Sequence, residues 1–103
     1  MTRATAQLAE RGAGLCTLSG SLTLETAPWL WRELTGGGLL NSATEADLSG
    51  LTESDSAGLA LLIAWRANRR RAGGELQFTS PPQRLLALAA LTDAQGALIT
   101  TQA

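Results

Sequence analysis

"DLSGLTESDSAGLALLIAW", residues Asp47 to Trp65, places three carboxylates and three serines within ten positions and then turns continuously apolar. A junction of this kind marks a helix start. A short side-chain oxygen there accepts from the orphan amides of the first turn, and Asp55 or Ser56 is placed to do so. Gly58 lets the same turn sit close to neighbouring backbone. From Leu59 to Trp65 all seven residues are apolar, so almost two turns of helix have no polar face. Leu59, Leu62 and Ile63 form an i, i+3, i+4 stripe suited to a sheet. Leu61, Ala64 and Trp65 are then left for a neighbouring helix or for another protein to cover.

Outward from this helix, expected over Ser56 to Arg71 and ended by Gly73-Gly74, the pattern alternates. Upstream, "EADLS" (Glu45 to Ser49) is a short strand. "AQLAE" and "GLCTLSGSL" form a hairpin around the Gly12 to Gly14 turn, with Cys16, Leu18, Leu22 and Leu24 alternating against hydroxyl residues. A helix begins near "ETAPWLWREL", with Thr26 as cap and Pro28 in the first turn, and stops at Gly36, Gly37 and Gly38. Its Trp29 and Trp31 lie about 200° apart on the helix, so one of them is expected outside. Downstream, "ELQFTS" is a strand, Ser80 and Pro81 open a helix carrying Leu85, Leu88, Ala89 and Leu91, and "ALIT" after Gly96 suggests a last strand. The order ββαβαβα with a final β predicts one α/β domain over residues 1–103: a mixed sheet of about four to five strands with helices mainly on one face.

The inventory narrows the chemistry. The chain has 103 residues, 45% hydrophobic and 17% charged, enough for one core without staples. It has no histidine, and all eight of its basic residues are arginines. Imidazole bases, Schiff-base lysines, a P-loop lysine and histidine metal sites are therefore unavailable. No metal or cofactor is expected. A net charge of -1 supplies no footprint for nucleic acid, and "RANRRR" (Arg66 to Arg71) reads as the solvated last turns of a helix. Cys16 cannot form an internal disulfide and takes a core position. Neither an apolar signal core nor a span-length apolar run is present, which makes the cytoplasm the expected location, without membrane insertion.

These residues resemble a known family. "DLSGLTESDSAGLALL" is similar to the signature loop and helix of STAS domains, and "LCTLSGSL", Trp31, "LQFTS" and "LLALAAL" recur in matching order. Within the family the likeness is nearest to the STAS subunits of Mla-type phospholipid ABC transporters. The resemblance implies a non-catalytic subunit that binds and stabilises or regulates the transporter's ATPase subunit, in a complex with a permease, on the cytoplasmic side of the inner membrane. Such a system maintains outer-membrane lipid asymmetry. The alternative it implies is an anti-sigma factor antagonist switched by a serine kinase, the anti-sigma factor.

By the same resemblance Ser56 occupies the hydroxyl position phosphorylated in antagonists, and Trp31 is the exposed tryptophan. The expected partner-binding residues are Trp31, Ser54, Asp55, Ser56, Ala57, Gly58 and Ala60. One departure is Ser54, preceded by Glu53, where the family places an apolar residue; it bears on loop packing and on recognition by a kinase. A phosphate on Ser56 would add about two negative charges beside Asp55, Glu53 and Asp47, against docking on an acidic or apolar partner. No general base with a matched pKa stands near Ser56 to activate it, so it is a contact residue rather than a nucleophile.

Overall fold

The computed structural model describes residues 5–91. Strand β1 (Ala6–Gly12) turns through Ala13 and Gly14 into antiparallel β2 (Leu15–Leu22). Helix α1 (Ala27–Gly37) and the four-residue α2 (Leu39–Ser42) lead to β3 (Glu45–Ser54), which lies parallel to β2. Helix α3 (Ser56–Arg71) then crosses to β4 (Gln77–Thr79), parallel to β3, and α4 (Gln83–Leu91) follows. The sheet order is β1-β2-β3-β4. Both bounds of α3, the hairpin and the mixed sheet agree with the sequence reading; "ALIT" lies outside the described residues.

One face of the sheet is apolar. Cys16, Leu18 and Leu22 of β2, Ala46, Leu48 and Leu51 of β3, and Phe78 of β4 are buried, while Thr17, Ser19, Asp47, Ser49 and Thr52 stay wholly or partly exposed. The helices close over the apolar face. The β2–β3 ladder shifts register twice, between Thr17 and Ser19 and between Gly20 and Ser21, each time with an extra residue on the β3 side. Each shift changes which parity of residue faces inward. The buried positions of β3 therefore pass from Ala46 and Leu48 to Leu51 and then to Ser54. The strand, expected to stop at Ser49, runs five residues further, and this break in alternation is what hid its length from the sequence pattern.

The large side chains of the apolar run are covered by their own chain: Leu61 is 6% and Trp65 0% exposed, and of the three residues left over from the sheet-facing stripe only Ala64 stays outside. The cover includes α2, absent from the sequence reading. After the left-handed Gly38 (φ 83°) this short helix lays the Leu39 carbonyl where Trp65 Nε1 donates to it at 3.2 Å. Trp65 also meets Phe78 edge-on, ring centroids 6.1 Å apart.

The arginine run is likewise not a solvated face. Arg66 and Arg69 are 5% and 8% exposed. Arg69 donates from Nε to the Ala43 carbonyl and from Nη1 to the Asn41 carbonyl, both at 2.6 Å, and so ties the α2–β3 connection to α3. Only Arg70 and Arg71 stand in solvent. Cys16 sits in the core as expected; burial, with Glu10 nearby, pushes its thiol up to about 11.

Candidate functional site

Strands β2 and β3 end side by side, Leu22 opposite Ser54, so α1 and α3 begin at the same end of the sheet. At that corner Asp55 is extended (φ -135°, ψ -175°) and its amide donates to the Leu22 carbonyl at 3.2 Å. Its carboxylate serves two segments. Oδ1 accepts from the Gly58 amide and Oδ2 from the Leu24 amide, each at 3.0 Å. Burial, the largest single influence, pushes this carboxyl up, but the amides of Gly58, Leu24 and Ala57 together hold it below its ordinary value. Asp55, rather than Ser56, is therefore the cap of α3.

Gly58 has a steric reason. A Cβ there would collide with the Leu22 carbonyl and come within 2.7 Å of Leu22 Cγ, so the first turn of α3 rests directly on the end of β2. Ser56, relieved of capping, is exposed, and its hydroxyl makes no hydrogen bond among the described residues. Ala60 and Ala64 continue outward from it, with Ala57 half-buried. Among the expected partner-binding residues, Ser54 and Gly58 are buried beneath this surface and Asp55 is half-buried.

The tryptophans divide differently from the expectation that one would stand outside. Trp29 and Trp31 are both half-buried, packed against opposite flanks of the core beneath α1, whose inward side is Leu30 and Leu34. Trp31 and Ala60 are each the fifth residue of their helix, about 6 Å beyond its first residue.

The acid-and-serine stretch does not form one cluster. Asp47 lies seven residues before Ser54 on β3, about 23 Å away along the strand. Its Oδ1 accepts from the Ser49 amide at 2.9 Å, and hydrogen bonds from Ser49, backbone and side chain, hold its carboxyl low against burial, with Arg11 assisting. Glu53 instead accepts from Ser21 Oγ at 2.9 Å. Of the three acids in this stretch, Asp47 is therefore too far to border a charge placed on Ser56, which leaves Glu53 and Asp55.

Two residues near the corner depart from the sequence reading. Thr26 stands at the N-cap position of α1 but its side chain does not cap the helix. It donates to the Ser21 carbonyl at 2.7 Å and accepts from the Thr23 amide at 3.0 Å, which fixes the turn before α1. Leu24, expected to continue the core alternation of the second strand, lies past its end and is 71% exposed. Its proximity to Asp55, 31 residues later in sequence, carries no local signal.

A family profile described as "Mlab, STAS domain" matches residues 5–100 of the chain. The chain belongs to the STAS-domain family. Among curated proteins none matches it. The STAS fold is shared with solved structures of SpoIIAA. One, described as the anti-sigma factor antagonist in its unphosphorylated form, is 12% identical, with a TM-score of 0.71 over 95% of this chain and 89% of that one. Another, the Bacillus cell fate determinant SpoIIAA in the phosphorylated form, is also 12% identical, with a TM-score of 0.67 over 95% and 92%. STAS-domain proteins act in protein–protein interactions and are generally non-catalytic regulators. In this STAS domain no described helix is long and apolar enough to cross a membrane.

Proposed function

We propose that the chain is a non-catalytic partner subunit that docks, through the start of α3, on the ATPase subunit of an Mla-type phospholipid ABC transporter. There it stabilises or regulates that ATPase beside the permease, on the cytoplasmic side of the inner membrane, in a system that maintains outer-membrane lipid asymmetry. One observation carries the docking face. Asp55 satisfies the helix amides from within, so the outward surface of Ser56, Ala57 and Ala60 presents small side chains that a partner's backbone can approach. Trp31, half-buried on α1, begins from the same end of the sheet, and Ser54 and Gly58 are buried beneath the start of α3. The family match, described by the name Mlab, supports the choice of partner. Binding of the purified ATPase subunit to the parent and to the Ser56→Trp and Ala60→Trp variants tests it. Both positions are exposed, so the variants keep the parent's melting temperature while binding falls at least about tenfold. Parental affinity in both would remove this face.

The second reading is an anti-sigma factor antagonist whose Ser56 is phosphorylated by its partner, the anti-sigma factor serine kinase. It is favoured by the exposed, unengaged Ser56 hydroxyl and by the fold shared with SpoIIAA, a protein solved in both forms. Intact-mass measurement of the chain isolated from its cells decides it: a phosphoform that disappears in Ser56→Ala supports the switch.

A further inference from the structure

We propose that Leu24 is the anchor of the docking face and enters an apolar recess rimmed by cationic side chains on the partner ATPase subunit. This rests on the docking reading above and adds to it the chemistry of the opposing surface.

A lone exposed leucine is ordinary on a protein surface. Leu24 differs in being held. Its amide is bonded to Asp55 Oδ2, and the turn around it is closed by the Thr26 hydroxyl on the Ser21 carbonyl and by the amides of Thr26 and Ala27 on the Thr23 carbonyl, at 3.0 and 2.8 Å. The carboxylate that caps α3 also fixes Leu24, so the leucine projects at a set distance from Ser56. A side chain on a locked backbone loses little freedom on entering a pocket, which is what makes an anchor efficient.

Charge selects the occupant. Glu25, which follows Leu24 in sequence, and Glu53, two residues before the Asp55 that holds the Leu24 amide, are both exposed, and Asp55 adds a third carboxylate at the corner. The nearest arginine along the chain, Arg32, is the sixth residue of α1, about 8 Å down that helix. Arg69, Arg70 and Arg71 lie at the far end of α3, some 20 Å from Ser56. An apolar tip within an acidic rim repels phosphate backbones and anionic lipid and matches a recess bordered by lysine or arginine.

The test uses the full chain and the purified ATPase subunit, with affinity measured from about 0.05 to 0.5 M salt. Leu24→Ser is expected to weaken binding about tenfold at every salt concentration, with no change in melting temperature. The parent's affinity falls as salt rises, whereas the Glu25→Arg/Glu53→Arg double variant binds weakly throughout and loses that dependence. If Leu24→Ser and the double variant both bind like the parent while Ser56→Trp does not, the anchor is wrong and the docking face stands. If the parent itself fails to bind, both are overturned.

Discussion

The two ends of α3 are built for different tasks. The end at Ser56 is made of small residues, satisfied by one carboxylate from its own loop, and faces outward. The end at Trp65 to Arg71 is bulky and reaches sideways: Trp65, Asn68 and Arg69 all hydrogen-bond to the segment between Leu39 and Ala43. One helix thus carries the proposed docking surface at one end and a surface that holds the domain together at the other. The difference teaches that a helix without a polar face need not be sticky, because a short segment from elsewhere in the chain can cover it.

If this division holds, substitutions at the far end cost more stability than those at the near end. Trp65→Ala removes a fully enclosed ring and its bond to Leu39, and is expected to cost about 4 kcal/mol in urea denaturation. A cost under about 1 kcal/mol would mean that α2 is not fastened by this side chain. Arg69→Ala leaves the Ala43 and Asn41 carbonyls without their donor and should cost about 2 kcal/mol by the same measurement.

At the near end the effects shrink. Asp55→Ala loses a helix cap, about 1 kcal/mol at pH 7. The Asp55 carboxyl is held low in the folded chain, so its contribution is complete above the unfolded value near 4 and is lost as pH falls through the folded value. The stability difference between parent and variant should therefore narrow below about pH 4, and a difference that widens on acidification would contradict the arrangement. Ser56→Ala should change stability by less than about 0.5 kcal/mol, since nothing within the described residues depends on that hydroxyl.

Local signals made much of this legible. The span of α3 follows from a short acid before it and glycines after it, and the hairpin follows from alternation around Gly12 to Gly14. What sequence could not supply was non-local. The burial of Leu61 and Trp65 depends on α2, a four-residue helix too short to show a period. Arg69 reads as a surface cation until carbonyls 26 and 28 residues earlier come within reach of it. In the candidate site, the junction at Asp55 and Ser56 was visible, but its second bond, to the amide of Leu24, joins segments that only the parallel pairing of β2 and β3 brings together. The extension of β3 was hidden by register shifts that scramble its alternation.

The glycine triplet at Gly36 to Gly38 has a practical consequence. Side-chain carbons built on any of the three would meet no atom within 4 Å, and the segments before and after are each fastened independently, α1 by Leu30 and Leu34 and α2 by the side chains of α3. The end of α1 and the left-handed Gly38 that turns the chain into α2 therefore border open space, away from both attachments. Extra residues spliced in there, such as an epitope or a fluorophore-bearing loop, would dangle in open water while both anchorages stay as they are.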